Sequence, residues 1–316
     1  MAVFVTGAGG FLGQSLVNTL IADGKKVLAF DYNAPPAAVL EGWKGRAEFR
    51  QGDIRDQKLI AGLVAESGNG DPIIHLAGIL TTGCDRDPHA AIAINVGGTY
   101  NVLEAARQNG GRRVVFASTI SVYGRGLPQP ITEDMPLEAD GWYGVSKQMA
   151  ELAGLLYVRR FGADFRAVRF AAVTGAGRVA LGSASLFTSL IPEKAAKGEA
   201  YAVEVTEDTS YPVVYIKDAV DALIKLAWAR EAKSRIYNIA SGNVVVDKMI
   251  AYIKKVIPEA KFTFAPAPDI MAVVAGFKEW VIGCDRAAKE IGWTPSYSVE
   301  KMVDDIIAIT RSKKQA

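Results

Sequence analysis

The stretch Thr6-Gly7-Ala8-Gly9-Gly10-Phe11-Leu12-Gly13 decides how this chain folds. Gly7, Gly10 and Gly13 have the spacing G-x-x-G-x-x-G, with Gly9 as an additional glycine. Upstream, Ala2-Val3-Phe4-Val5 is a short apolar run, as expected of a strand buried on both faces. Downstream, Phe11, Leu12, Leu16, Val17 and Leu20 recur at helical spacing until Gly24, and Val27-Leu28-Ala29-Phe30 reads as a second strand closing at Asp31. The glycines permit a tight turn and a close backbone approach to a pyrophosphate, and the following helix offers unpaired N–H groups and the positive end of its dipole. Asp31, eighteen residues beyond Gly13, is placed to accept both ribose hydroxyls of a dinucleotide and to repel the extra phosphate of NADP. The loop thus predicts NAD as cofactor, with Gly7, Gly10, Phe11, Leu12, Gly13 and Asp31 against it.

Outward from the loop the alternation continues. Strands are predicted over 47–50, 72–78, 113–117 and 165–170, with helices over 88–109 and 143–161. Beyond Val173 the pattern is irregular and is punctuated by Gly175, Gly177 and Gly182; a strand over 213–216, a helix over 218–230 and a strand over 236–239 follow. Strands alternating with helices predict an α/β protein, a Rossmann doubly wound parallel sheet with a smaller C-terminal substrate domain. The expected division is 1–173 with 213–240 for the dinucleotide domain, and 174–212 with 241–316 for the substrate domain.

Composition narrows the class. With 50% hydrophobic and 22% charged residues, the 316-residue chain can bury a substantial core, and a net charge of +2 gives no electrostatic footprint for nucleic acid. No apolar run reaches the roughly 18 residues that span a bilayer, and the N-terminus enters the first strand without the features of a signal peptide. Cys84 and Cys284 lack metal-ligand spacing and read as free thiols of a reducing compartment. A cytoplasmic enzyme without metal is expected.

Tyr143-Gly144-Val145-Ser146-Lys147 places a phenol and an ammonium four residues apart, on one face of a helix. A free tyrosine titrates near 10, too high for an efficient base at neutral pH; a neighbouring cation favours the phenolate. A hydroxyl from the preceding strand end should complete the set, and Ser118, Thr119 and Ser121 compete for that place. Asp53-Ile54, after the third strand, fits either a helix N-cap by Asp53 or contact with adenine. His75 reads as a satisfied core histidine, while Thr81 and Thr82 follow the fourth strand at the sheet edge where ligands bind. Thr174 is a further substrate candidate. Trp280 and Trp293 read as C-terminal packing.

Taken together, the glycine loop, Asp31, Leu76-Ala77-Gly78, Ser118-Thr119-Ile120-Ser121-Val122-Tyr123-Gly124 and Tyr143 to Lys147 resemble the extended short-chain dehydrogenase/reductase family, the NAD-dependent epimerases and dehydratases, over essentially the whole chain. The resemblance implies catalysis by Thr119, Tyr143 and Lys147, and cofactor contacts that add Asp53, Ile54, Leu76, Ala77, Gly78, Asn95, Tyr143, Lys147 and Phe170. It also implies a homodimer through the helices that carry Asn95 and Tyr143. Nucleotide-sugar members carry an asparagine where this chain has Arg169-Phe170-Ala171-Ala172, and an arginine near Thr209-Ser210-Tyr211-Pro212; both are absent. The pattern is more similar to short-chain L-threonine dehydrogenase-like members, in His75-Leu76-Ala77-Gly78-Ile79-Leu80-Thr81-Thr82, in Asp208-Thr209-Ser210-Tyr211-Pro212-Val213-Val214-Tyr215 and in Gly292-Trp293. Those have arginine at the place of Ser210, where it could fork onto a carboxylate; Arg178 is the candidate replacement. The expected function is hydride transfer between NAD and a small polar hydroxyl substrate (hydroxy acid, sugar or sugar acid), with substrate contacts from Thr81, Thr82, Thr119, Tyr143, Thr174 and Arg178. The alternatives are a sugar or nucleotide-sugar epimerase/dehydratase and, behind it, a dinucleotide-sensing binding protein.

Overall fold

In the computed structural model, residues 1–68, 70–179 and 183–315 are described; Gly182 lies outside them. The chain begins with the expected β-α-β unit, β1 (Val3–Thr6), α1 (Phe11–Ala22) and β2 (Val27–Asp31). It continues through α2 (Ala37–Trp43), β3 (Ala47–Gln51), α3 (Gln57–Glu66), β4 (Ile73–His75), α4 (Thr81–Arg86), α5 (Pro88–Ala91), α6 (Gly98–Gln108), β5 (Val114–Thr119), α7 (Trp142–Phe161) and β6 (Phe165–Phe170). Then come β7 (Ala172–Thr174), α8 (Phe187–Lys197), β8 (Tyr201–Val203), β9 (Ser210–Tyr215), α9 (Ile216–Trp228) and β10 (Ile236–Ile239). The C-terminal part holds β11 (Gly242–Val245), α10 (Val246–Val256), β12 (Phe262–Phe264), α11 (Pro268–Val274), α12 (Asp285–Ile291) and α13 (Val299–Gln315).

Seven strands form one parallel sheet in the order β10-β6-β5-β4-β1-β2-β3. This is the Rossmann arrangement. The strand order reverses between β1 and β4, which opens the crevice where ligands of such sheets bind, at the carboxyl ends. All four residues of β1 and all six of β6 are buried, as in strands covered on both faces; the two arginines of β6, Arg166 and Arg169, are ion-paired with Asp164 and Glu151. On one face Leu16, Val17 and Leu20 of α1 pack with Ala219, Leu223 and Leu226 of α9. On the other, Ile60, Leu63 and Val64 of α3 meet Val102, Leu103 and Ala106 of α6 and Ala150 and Tyr157 of α7.

A second core gathers Phe187 and Ile191 of α8, Met249 and Ile253 of α10, and Met302, Val303 and Ile306 of α13 around a three-stranded sheet ordered β11-β9-β7. In β9 the side chains alternate as strand geometry requires: Val214 joins the first core, whereas Tyr211, Val213 and Tyr215 join the second. The expected domain boundaries at 173/174 and 212/213 therefore fall inside β7 and β9. Among the described residues no helix is long and apolar enough to cross a membrane.

One predicted helix differs. Residues 88–109 are interrupted by a π-helical turn, Ile92–Gly97, between α5 and α6. The wider turn turns Asn95 inward, where its side chain accepts from the Ile79 amide at 2.9 Å and donates to the Ser146 hydroxyl at 2.9 Å and to the Ile79 carbonyl at 3.2 Å. Long-range bonds, not local periodicity, set that turn.

Candidate active site

The glycine loop is shaped by contacts that leave no room for side chains. Gly7 has φ +73°, and a Cβ there would lie 2.6 Å from the Ala77 nitrogen; a Cβ on Gly13 would lie 2.0 Å from the Gly7 carbonyl oxygen. Gly10 caps α1 without a side-chain hydrogen bond, and the first turn holds no acidic residue, so the helix N-terminus is open to an anion. Asp31 folds over the loop: its Oδ2 accepts from the Gly9 amide at 2.9 Å and its Oδ1 from the Asn33 amide at 3.1 Å. The acid is thus both the group placed for the ribose and a clasp that fixes the loop's path. This glycine cradle, open helix end and carboxylate fit a dinucleotide.

Asp53 does not cap α3; that place belongs to Asp56, whose side chain accepts from the Leu59 amide. Asp53 instead accepts from the Arg55 side chain at 3.0 Å and from its backbone at 2.9 Å, and the guanidinium holds its carboxyl below the usual range. Ile54 is buried against Gly98, where an added Cβ would lie 2.7 Å from the isoleucine Cγ2, and Asn101 donates to its carbonyl at 3.0 Å.

Beyond the loop lies a cavity of about 490 Å³ lined by β1, β4, β5 and β6 strand ends, the start of α7 and the loop after β7. Thr119, Tyr143 and Lys147 meet there. Period-two geometry separates the competing hydroxyls: Ser118 is turned to Glu151, to whose Oε1 it donates at 2.5 Å. Thr119 lines the cavity with Tyr143 and donates to the Ser121 hydroxyl at 3.1 Å. Ser121 itself also lines the cavity. Lys147 is buried, donates to the Ala117 carbonyl at 2.8 Å and sits 5.9 Å from the Tyr143 ring centre. Burial pushes its pKa down to about 8, opposed by the Glu151 carboxylate. Burial likewise pushes the Tyr143 phenol up to about 12, against the nearby Thr119 hydroxyl and the Arg178 charge, both of which favour phenolate.

His75 is a core residue. Its Nδ1 shares a hydrogen bond with the Thr6 hydroxyl at 2.6 Å and its Nε2 with Thr99 at 3.0 Å. Burial and the Lys147 charge push its pKa down to about 3, so the ring is neutral.

Of the other expected residues, Gly7, Gly10, Phe11, Leu12, Gly13, Leu76, Gly78, Thr81, Phe170 and Arg178 line the same cavity. Asp31, Asp53, Ile54 and Ala77 do not, and lie along the loop or beyond it; Asn95 backs Gly78, where a Cβ would approach its Oδ1 to 2.8 Å. Thr82 is exposed outside the cavity. Thr174 also lies outside it: its hydroxyl is bound by Ser189 at 2.9 Å and by Thr188 at 3.1 Å, which ties β7 to α8. Trp293 donates to the Asp218 carbonyl in the core, as packing requires. Trp280 packs with Tyr123 and Phe277 but also walls the cavity, a role its sequence context did not signal. Tyr211 was missed too; strand alternation in β9 was the available signal, since it turns Tyr211 and Ser210 to opposite sides. Ser210 accepts from Asn243 at 3.2 Å.

Comparison with known proteins follows the same lines. L-threonine 3-dehydrogenase, mitochondrial, of Bos taurus is 28% identical over 313 residues, 96% of this chain and 81% of that protein. The crystal structure of L-threonine dehydrogenase from Phytophthora infestans is 28% identical, covers 99% of this chain and 100% of its own, and superposes with a TM-score of 0.88. MoeE5, solved in complex with UDP-glucose and NAD, is 25% identical with a TM-score of 0.83, over 99% of this chain and 100% of that one. Residues 3–240 match the model of the NAD dependent epimerase/dehydratase family; the chain belongs to that family and is an enzyme whose cofactor is NAD.

Proposed function

We propose that this protein is a dehydrogenase of a small polar alcohol that carries no nucleotide. The observation that carries the reading is the convergence of the Thr119 hydroxyl, the Tyr143 phenol and the buried Lys147 ammonium in a cavity continuous with the glycine loop. Held by the backbone at Gly7, Gly10 and Gly13 and by the Asp31 carboxylate, NAD supplies the acceptor for the hydride that leaves the carbinol carbon. Thr119 positions the substrate hydroxyl by a hydrogen bond. Tyr143, as phenolate, takes the hydroxyl proton while the C–O bond becomes a carbonyl. Lys147 keeps a positive charge beside the phenol and favours that phenolate. Against a nucleotide sugar stand Ala172, where such enzymes carry an asparagine, and Ser210, which is bonded to Asn243.

Incubation with NAD and a panel of hydroxy acids (L-threonine among them), aldoses and nucleotide sugars tests this reading through the absorbance of reduced cofactor. Net reduction is expected. Product without net reduction would instead support the second reading, epimerisation, which the likeness to MoeE5 favours. Full turnover by Tyr143→Phe would refute the mechanism. We further propose a homodimer through α6 and α7, whose Tyr100, Met149, Leu152, Leu156 and Phe161 are exposed. The two free thiols, Cys84 and Cys284, support residence in the cytoplasm, which fractionation of the source cells would test.

A further inference from the structure

Resting on the dehydrogenase reading, we infer that the substrate is a hydroxy acid whose carboxylate is held between Arg178 and Tyr211, facing the hydroxyl that Tyr143 deprotonates. Arg178 is buried, and among the described residues it has no acidic partner. Its Nη1 donates to the Ser185 carbonyl at 3.1 Å, and its Nη2 to the hydroxyls of Ser183 at 2.7 Å and Ser185 at 3.1 Å. These neutral acceptors orient the guanidinium without cancelling its charge. The contrast with Arg112 is instructive. That buried arginine spends all three nitrogens on the Asp71, Val64 and Ala2 carbonyls and on Ser67, and lines no part of the cavity. Arg178 does line it. A buried cation that borders a cavity and has no acidic partner is a place for an anion.

Tyr211 supplies an independent observation. It is 7% exposed, with its ring against Phe187 and Phe277 at centroid distances of 6.1 and 5.0 Å. Among the described residues its hydroxyl has no hydrogen-bond partner, and it opens on the cavity, since no fully enclosed polar atom there is left unpaired. A phenol so placed is a donor awaiting an acceptor. Arg178, Tyr211 and Tyr143 all line this one cavity, so the cation and the two phenols border one volume. The Nε hydrogen and one Nη1 hydrogen of Arg178 carry no bond among the described residues, and with the Tyr211 O–H they supply a positive charge and donors for the two oxygens of a carboxylate. A phosphate dianion would call for a second cation beside Arg178; Arg125, the other arginine on the wall, is paired with Asp140 at 2.6 Å, and Lys147 is tied to the Ala117 carbonyl beside Tyr143. The remaining acid on the wall, Asp85, lies against Gly141.

Titration calorimetry of the NAD-loaded protein with butyrate, butyramide and inorganic phosphate tests the clamp without any turnover. Butyrate should bind at least about tenfold more tightly than butyramide, and more tightly than phosphate. Tyr211→Phe should weaken butyrate about tenfold and Arg178→Gln about a hundredfold, while NAD affinity, the measure of intact folding, is unchanged. In turnover, 3-hydroxybutyrate should reduce NAD with a kcat/KM far above that of 1,3-butanediol, and Tyr211→Phe should raise KM for the acid more than it lowers kcat. Equal binding of acid and amide, tighter binding of phosphate, or butyrate affinity unchanged in Tyr211→Phe would each overturn the inference. If no alcohol reduces NAD while butyrate still binds through Arg178, the dehydrogenase reading falls and the carboxylate site stands.

Discussion

Lys147 and Tyr143 are tuned by the same burial in opposite directions, the ammonium down to about 8 and the phenol up to about 12. Alcohol oxidation needs the phenolate and the charged lysine together, so its rate should climb with pH and level off near 8, where each further gain of phenolate is offset by loss of the Lys147 proton. Lys147→Arg, with a guanidinium that stays charged, should let the climb continue past pH 8 in a kcat/KM–pH profile; a break that stays near 8 would remove the lysine from this role. At the loop, Asp31→Ser should raise the preference for NADP over NAD by tenfold or more in comparative cofactor titrations, since the carboxylate that repels the phosphate is gone. The substitution also removes two backbone acceptor contacts, so NAD itself should bind less tightly. The residues that could be read beforehand were those whose neighbours in sequence are also neighbours in space. Gly7 to Gly13, Asp31 and the Tyr143–Lys147 pair are of this kind. Thr119 was separable from Ser118 by family resemblance alone, and it took the Ser118 bond to Glu151 to give the choice a physical cause. Tyr211 escaped notice because an aromatic residue in an apolar strand looks like core until the space beyond its hydroxyl is seen.

At the scale of elements, the turn from β1 into α1 requires glycine at Gly7 and Gly13. Gly13→Ala would push a methyl against the Gly7 carbonyl oxygen at 2.0 Å, backbone that has nowhere to retreat. A stability loss of roughly 1–3 kcal/mol is expected in urea unfolding, with loss of NAD binding alongside it; an alanine protein that binds NAD normally would show that the loop does not need this closeness. The strands of the first 170 residues and the long helices α1 and α7 were visible in periodicity because each has one dominant environment, whereas the short α2, α3 and α4 were not assigned. The π turn at Ile92–Gly97 was not, because it answers to Ile79 and Ser146, far along the chain. The boundary between β9 and α9 also blurred, as Val213-Val214-Tyr215-Ile216 is one apolar run in which only the first three residues are extended.

For the molecule as a whole, the buried His75 sets an acid limit. Its native pKa of about 3 lies below the ordinary 6.5, so above pH 6.5 it is neutral in both folded and unfolded states and has no effect. As the pH falls below that, the unfolded chain binds a proton that the native state refuses, and stability drops by about 1.4 kcal/mol per pH unit from this group. Urea midpoints measured down from pH 7 should fall more steeply for the native protein than for His75→Asn; equal slopes would place the acid sensitivity elsewhere. In assembly, Met149, Leu152 and Leu156 form one exposed stripe along α7. Leu152→Asp with Leu156→Asp should convert a dimer to a monomer in light scattering coupled to size exclusion; a native protein that is already monomeric would remove the stripe from that role.

The strand β9 carries one more implication. Its alternate side chains are rooted in two cores, Val214 under the dinucleotide sheet and Tyr211 beside the cavity wall. A strand anchored on both sides leaves no seam along which the halves of the protein could drift apart. Filling the nucleotide crevice should therefore stiffen the strip of backbone that presents Tyr211, and a ligand in the cavity should stiffen the floor of the crevice in return, which slower hydrogen exchange of the β9 amides with either ligand would show.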